Sequence, residues 1–465
     1  MTKSFKLNMV AASLAALLLT ACGGADTDII EQDPIEVPDD GGDNGDEHDH
    51  GTGDISVDSS GRLAVFNEDT SVTSVFDIKT GDLLDTFSST HTDNSLTASA
   101  NYRFAVVASR NNDYVEFIDS GLLIEDHGDH LHEYEYAPVR SDYTLNGSSP
   151  THIVKNDDEM IIFYDGNADA GVPASVQVLK DSDISGETSE LPHIDYSVNM
   201  HGVAQSQDDG EYLLSTIRRD AADSTSSGTL PDQVGVYHLH GTEYEQEQIL
   251  DVTCPDLHGA AQNDDYVVFG CSDGVLVSHE HDGEFEAVKI TNVDEVGTSR
   301  IGSLYGHDES DSLIGVASGA LFAINPAVST MEKLEWQLAD GVSAVSYSFS
   351  HGAEYFLVLD SEGYLNILNS HSHDGEAHWV LVDTIDISEE DISTMPEGMN
   401  FSMTVAQNGD YVYVADPIAQ HILQIDLEEM SITRDYEIGF SAKALTWLGI
   451  AEEGHDDDED DDHNH

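Results

Sequence analysis

The stretch Cys254–Gly274, CPDLHGAAQNDDYVVFGCSDG, decides how this chain is read. His258 opens a short strand, Asn263-Asp264-Asp265 turns the chain, and Tyr266–Cys271 is a second, more apolar strand that ends at Ser272-Asp273-Gly274. Two earlier windows repeat the order: SSPTHIVKNDDEMIIFYDG around His152 and SVNMHGVAQSQDDGEYLLST around His201. Self-similarity at a period of about 50 residues is the mark of repeat architectures, β-propellers among them.

Working outward, the same apolar strand recurs. It begins at Arg62 (RLAVFNE), Tyr102 (YRFAVVAS), Glu159 (EMIIFYDG), Glu211 (EYLLST), Asp265 (DYVVFGCSDG), Ser312 (SLIGVASG), Glu354 (EYFLVLDSEG) and Asp410 (DYVYVAD). A further strand follows most of these after a turn, and helical periodicity is nearly absent. The expectation is an all-β chain, a β-propeller over residues 54–450. Eight runs favour eight blades, and seven is the alternative in which the first and last runs share one closing blade.

The ends read differently. Lys3 and Lys6 precede an apolar run, Met9 to Leu19, too short to span a bilayer, and Leu19-Thr20-Ala21-Cys22 resembles a bacterial lipobox. Residues 1–21 are expected to be a lipoprotein signal peptide, with Cys22 lipidated; the alternative is an ordinary cleaved signal beside an incidental cysteine. Gly23 at the next position points to sorting to the outer membrane, so the expected location is the periplasm or outer membrane of a Gram-negative bacterium. Residues 22–53 form an acidic tether carrying His48 and His50, and 451–465 an acidic tail with His455, His463 and His465.

Sixteen Lys and Arg against 91 Asp and Glu give a formal net charge of −75, which excludes nucleic acid as a natural partner, since phosphate binding needs a basic surface. Cations and basic protein patches are favoured, as is simple solubility in a salty medium. Besides Cys22 the chain has Cys254 and Cys271, and an even pair in an oxidising compartment reads as a disulfide; thiolate metal ligation is the competing reading.

Histidine carries the chemistry. His152, His201 and His258 occupy equivalent positions at or before the start of an innermost strand in three consecutive units, so a closed ring would bring them together near its axis. Three neutral imidazoles with room for a fourth ligand suit Zn²⁺. His307 and His351 fall inside the following turn, and His91 is out of register the other way. An inserted segment, Glu125–Glu133 (EDHGDHLHE), carries His127, His130 and His132 and is expected to fold over the channel mouth beside the trio. The pairs His238/His240, His279/His281 and His371/His373 end strands, and each pair points to one face; with His48/His50 they are secondary candidates, and ligand softness does not separate Zn²⁺ from Cu²⁺ or Ni²⁺ there. No nucleophile elbow, phosphate loop, H-E-x-x-H helix or haem-attachment motif occurs, so no catalytic residue is assigned.

The PTH, MHG and CPDLHG windows, the FGCSDGVL segment containing Cys271, the histidine-rich loop and the EHDHG tether together resemble the periplasmic zinc metallochaperones of the AztD family over roughly residues 48–445. That resemblance implies a β-propeller that binds Zn²⁺ and passes it to the solute-binding protein of a zinc ABC transporter, the mobile histidine loop closing over the ion until the partner displaces it. The lipobox and the long acidic tail depart from the family pattern. The other readings are a metal-dependent propeller enzyme, either a hydrolase or lactonase or a copper-reductase-like protein, and an acidic interaction scaffold.

Overall fold

The computed structural model describes residues 60–126, 131–281, 283–373 and 376–452. The signal peptide, the tether with Cys22, His48 and His50, the tail from residue 453, and His127 and His130 lie outside the described residues. Strands run from Arg62 to Leu448, and helical turns among the described residues are confined to Asp181–Ser185 and three short 3₁₀ segments. None of those helices is long and apolar enough to cross a membrane.

Each apolar run of the sequence is the second strand of a four-stranded antiparallel unit. Among the described residues six units are separate sheets, and two are joined into an eight-stranded sheet by a parallel bridge, His193 to Glu243. Numbered in chain order, unit 1 comprises Ala444–Leu448, Arg62–Asn67, Val72–Asp77 and Leu83–Ser88, and unit 2 Ser95–Ala98, Phe104–Ser109, Tyr114–Asp119 and Val139–Asn146. Unit 6 comprises Ser303–Tyr305, Leu313–Ala317, Ala320–Asn325 and Thr330–Lys333, and unit 8 Ser402–Val405, Tyr411–Asp416, His421–Asp426 and Ser431–Glu437. Unit 3 comprises Pro150–Asn156, Glu159–Tyr164, Ser175–Lys180 and His193–Asp195. Unit 4 comprises Ala204–Gln207, Tyr212–Ile217, Gln233–His240 and Glu243–Ile249; unit 5 comprises Ala260–Gln262, Tyr266–Cys271, Gly274–His281 and Glu284–Thr291.

Burial explains why the second strands are apolar throughout and do not alternate. Met160, Ile162 and Tyr164 pack towards unit 2, whereas Ile161 and Phe163, one residue out of phase, pack towards unit 4. In unit 5, Val267 and Phe269 meet unit 4 while Val268 meets unit 6. A strand covered on both faces must be hydrophobic at every position. The hydrophobic clusters each join two consecutive units, and the cluster of Leu63, Val65, Tyr413, Ala415 and Trp447 joins unit 8 back to unit 1.

Unit 1 is completed by the far end of the chain: its innermost strand, Ala444–Leu448, pairs antiparallel with Arg62–Asn67. Sheets arranged this way form a β-propeller. Because neighbouring strands are antiparallel, the turn into each innermost strand shares one end of its unit, here called the entry end, with the turn between strands two and three. The other two turns lie at the opposite end.

Trp447 is almost fully buried in the closing cluster, and its indole N–H reaches the Ser60 carbonyl at 3.4 Å. Trp447→Ala is expected to lower the unfolding free energy by about 3–5 kcal/mol, read as a shift in the urea midpoint.

Candidate metal centre

His152 is the third residue of the innermost strand Pro150–Asn156, just past a bulge, while His201 and His258 stand three and two residues before the innermost strands Ala204–Gln207 and Ala260–Gln262. All three are therefore at the entry ends of units 3, 4 and 5, and their side chains converge. His152 Nε2 lies 3.3 Å from His201 Nε2, which lies 3.1 Å from His258 Nε2. The third side of the triangle is wider: the rings of His152 and His258 have centroids 5.9 Å apart, against 4.9 Å for the other two pairs.

The glycines that follow two of these histidines allow the approach. A Cβ on Gly202 would meet Thr216 and come within 2.5 Å of the Phe163 ring. Gly259 has φ +70°, and its Cβ would fall 2.9 Å from the Gly302 carbonyl oxygen. That carbonyl accepts a hydrogen bond from His258 Nδ1 at 2.7 Å. His201 Nδ1 likewise donates to Asp165 Oδ2 at 2.9 Å. Asp165 in turn is held by the Arg110 guanidinium at 2.8 Å, and Arg110 Nε donates to Thr151 beside His152.

These partners decide the electrostatics. Carbonyl and carboxylate oxygens can only accept, so Nδ1 carries the hydrogen in His201 and His258, and in a neutral ring Nε2 then presents a lone pair. Two lone pairs 3.1 Å apart repel each other, and a cation between them removes the conflict. Burial, followed by the neighbouring imidazoles, lowers the His152 pKa to about 4. Burial also lowers that of His258, although the bond to Gly302 works in the other direction. Burial opposes ionisation of Asp165, but the hydrogen bonds from His201 and Arg110 outweigh it and hold the carboxyl below its ordinary value.

Cys254 and Cys271 form a disulfide, with Cα atoms 4.9 Å apart, and both are fully buried. The bridge ties the segment leading to His258 to the end of the strand Tyr266–Cys271, and it removes both sulfurs from the pool of thiolate ligands.

The histidine loop requires a correction. His132 is exposed on the strand Leu131–Glu135, which forms a hairpin with Leu122–Asp126. This hairpin connects the third and fourth strands of unit 2, leaving Tyr114–Asp119 at Asp119 and rejoining Val139–Asn146 at Val139. The end of unit 2 that meets His152's segment is the other one, where Ser149 and Gly147 bond to Asp113. The hairpin is thus rooted opposite the trio, pinned there by Arg62, which donates to the Tyr136 carbonyl at 2.7 Å and pairs with Glu135 at 3.0 Å. The sequence places the insertion correctly between units 2 and 3; it does not tell which end of the sheet the connection leaves.

The remaining histidines separate by position. His307 and His351 follow their innermost strands, Ser303–Tyr305 and Ala344–Phe349, and so lie at the opposite end from the trio. His91 packs edge-on against Tyr114, with ring centroids 5.1 Å apart. His238 and His240 gather with Glu247 at the end of Gln233–His240, and His238 also reaches Glu211 at 3.1 Å. His279 and His281 are exposed on Gly274–His281, with His279 donating to the Asp265 carbonyl. His371 and His373 end the strand Tyr364–His373, and their side chains lie outside the described residues. Asp165, Arg110 and Glu247 were not singled out in the sequence. The FYDG ending after Phe163 marks Asp165 as the acidic residue closing the second strand, but among 91 carboxylates nothing distinguished it.

The chain matches no family model. Over 218 residues it is 29% identical to a protein described as zinc chaperone AztD from Citrobacter koseri, a match spanning 46% of this chain and 47%, about half, of that relative. The structure of apo AztD from Citrobacter koseri superposes with a TM-score of 0.68 at 21% identity, covering 84% of this chain and 98% of that one. This chain resembles AztD. A crystal structure of Citrobacter koseri AztD also gives a TM-score of 0.68, at 22% identity over 85% of this chain and 99% of that one. Dihydro-heme d1 dehydrogenase NirN in complex with DHE gives 0.52 at 12% identity over 84% and 76%. At these identities the superpositions establish a common fold.

The lowered His152 pKa has a consequence for the metal-free protein. Between about pH 6.5 and 4 the unfolded chain takes up a proton that folded His152 refuses, so this contribution to stability is complete above that window and is lost as pH falls through it. The loss should be on the order of 3 kcal/mol. His152→Gln should flatten this part of the slope, as measured by denaturant unfolding in the presence of chelator.

Proposed function

We propose that this protein is a zinc carrier built on an eight-bladed propeller, with His152, His201 and His258 as the ligands of its cargo ion. The observation that carries the reading is the convergence of three Nε2 atoms, two of them fixed as lone-pair donors by Asp165 and the Gly302 carbonyl. A single proton bridges two nitrogens, whereas a metal ion accepts all three. For Zn–N bonds of 2.0–2.1 Å in tetrahedral geometry, ligand nitrogens stand about 3.3 Å apart, and the two short sides of the triangle, at 3.3 and 3.1 Å, fit this spacing. The third side is wider, with the rings of His152 and His258 at 5.9 Å between centroids, so binding by all three requires His152 to swing towards His258.

Around these ligands the chain supplies orientation. Asp165 and the Gly302 carbonyl hold His201 and His258 in the ligating tautomer, and Arg110 holds Asp165 ionised; outer partners of this kind set ring orientation and ligand basicity. Half-burial at the open entry end leaves the ion reachable from solvent, which suits capture and release better than a closed structural site with four protein ligands. The likeness to AztD supports zinc as the cargo. On the same reading the receiver is the solute-binding protein of a zinc ABC transporter, the compartment is the periplasm, Cys22 carries a lipid that holds the chain at the outer membrane, and the protein is not an enzyme. His132 stands on a hairpin rooted at the opposite end from the trio and is not among these ligands.

Equilibrium dialysis with zinc, combined with anomalous scattering at the zinc edge, tests the assignment. The triple variant His152→Ala, His201→Ala, His258→Ala should lose the tightest class of bound zinc; unchanged stoichiometry and affinity would sink the reading. Asp165→Asn keeps all three ligands and should weaken zinc binding by about 10- to 100-fold, as measured by chelator competition.

A further inference from the structure

The geometry points to a second divalent-cation site at the opposite end of unit 4 from His201, with His238, His240 and Glu247 as ligands. This inference does not rest on the trio holding metal.

The three side chains each offer a ligand atom, and these atoms all lie within 4.8 Å of one another. His238 and His240 are two residues apart on the strand Gln233–His240, so both project from one face of the sheet. Glu247 comes from the neighbouring outer strand, Glu243–Ile249. Its approach has a structural cause. The ladder between these strands runs His240 to Glu243, Leu239 to Tyr244, His238 to Glu245 and Tyr237 to Gln246, then jumps to Val236 and Gln248. Glu247 is the extra residue of that β-bulge, and bulges re-aim side chains in this way. Its carboxylate comes 3.3 Å from His238 Nδ1 and 3.8 Å from His240 Nε2. Glu211, at 3.1 Å from His238 Nε2, stands on the other side of the ring, and Tyr212 stacks beneath it with centroids 4.7 Å apart.

The adjacent unit supplies a natural comparison. His279 and His281 form the same H-x-H pair at the same place in unit 5, and His279 lies over Tyr266 as His238 lies over Tyr212. There the ladder with Glu284–Thr291 is unbroken from Gly274 to His281. His279 Nδ1 donates to the Asp265 carbonyl, and among the described residues no comparable group of three ligands forms. The H-x-H motif alone therefore does not make the site; it also takes the carboxylate of Glu247, two residues beyond the partner of His238, where the matching position in unit 5 is Val288. Two imidazoles and one carboxylate, partly open to solvent, suit Zn²⁺ with water completing the tetrahedron. An exposed site of this kind exchanges its ion readily.

The test is a zinc-edge anomalous map of the full chain crystallised with excess zinc, alongside maps of variants. A peak among His238, His240 and Glu247 is expected. It should disappear in His240→Ala and persist in the paired variant His279→Ala, His281→Ala. In solution, His240→Ala and Glu247→Gln should each weaken one class of bound zinc by at least about tenfold, with the class removed by the trio variant unchanged. No peak there at saturating zinc, or a peak surviving both His240→Ala and Glu247→Gln, would overturn the inference. A peak here with none at the trio would sink the carrier reading while leaving this site standing, so the two failures are distinguishable. All these side chains lie at the surface, and the same crystals report whether each variant keeps its fold.

Discussion

Burial of each second strand between two neighbouring sheets is the constraint on which the rest of the structure depends. Ile161 and Phe163 need unit 4 to cover them as much as Met160 and Ile162 need unit 2. No four-stranded unit can satisfy this alone, and a linear stack would leave two units each with an apolar face exposed to water. Ring closure resolves the difficulty, and the chain achieves it by returning Ala444–Leu448 to the first unit, where Leu445 and Trp447 seal the joint with unit 8.

Closure also makes a convergent site possible. In a closed ring the innermost strands of successive sheets face a common axis, so residues about 50 apart in sequence become neighbours if they share register. His152, His201 and His258 share it; His307 and His351, one strand length later, face the other end. Local chemistry then sets the protonation of the trio. A carboxylate and a backbone carbonyl each take the Nδ1 hydrogen of one ring and so direct a lone pair inward. The repulsion this creates is a cost that the fold maintains through the disulfide, the close-packed glycines and the Arg110–Asp165 pair, and a bound cation relieves it. The second group, around His238, is assembled across an outer ladder, beside a bulge, and owes nothing to the axis.

The resemblance to AztD and the trio share the PTH, MHG and CPDLHG windows, whereas the hydrogen bonds that orient the imidazoles come from this structure alone. The superpositions establish the fold at identities near 21% and leave the chemistry to be argued from this chain's own residues. The strong negative charge fits that chemistry in a general way, since it raises the local concentration of cations near the surface without selecting among them.

The apolar second strands, with their recurrence near 50 residues, determined the all-β repeat architecture, because two-sided burial writes an unbroken hydrophobic run into each unit. Register against those runs singled out His152, His201 and His258 from 23 histidines, and the pairing of Cys254 with Cys271 was legible from number and compartment. The tertiary structure alone decided the rest. Asp165, Arg110 and Gly302 reach the trio from other turns and other units, so no spacing in the chain announces them. The end of unit 2 from which the histidine hairpin leaves follows from strand polarity within the sheet, which overturned its expected place above the trio. Glu247 joins His238 and His240 from the neighbouring strand, beside a place where the ladder skips a residue, and such cross-strand placement is a property of pairing that neither strand carries by itself.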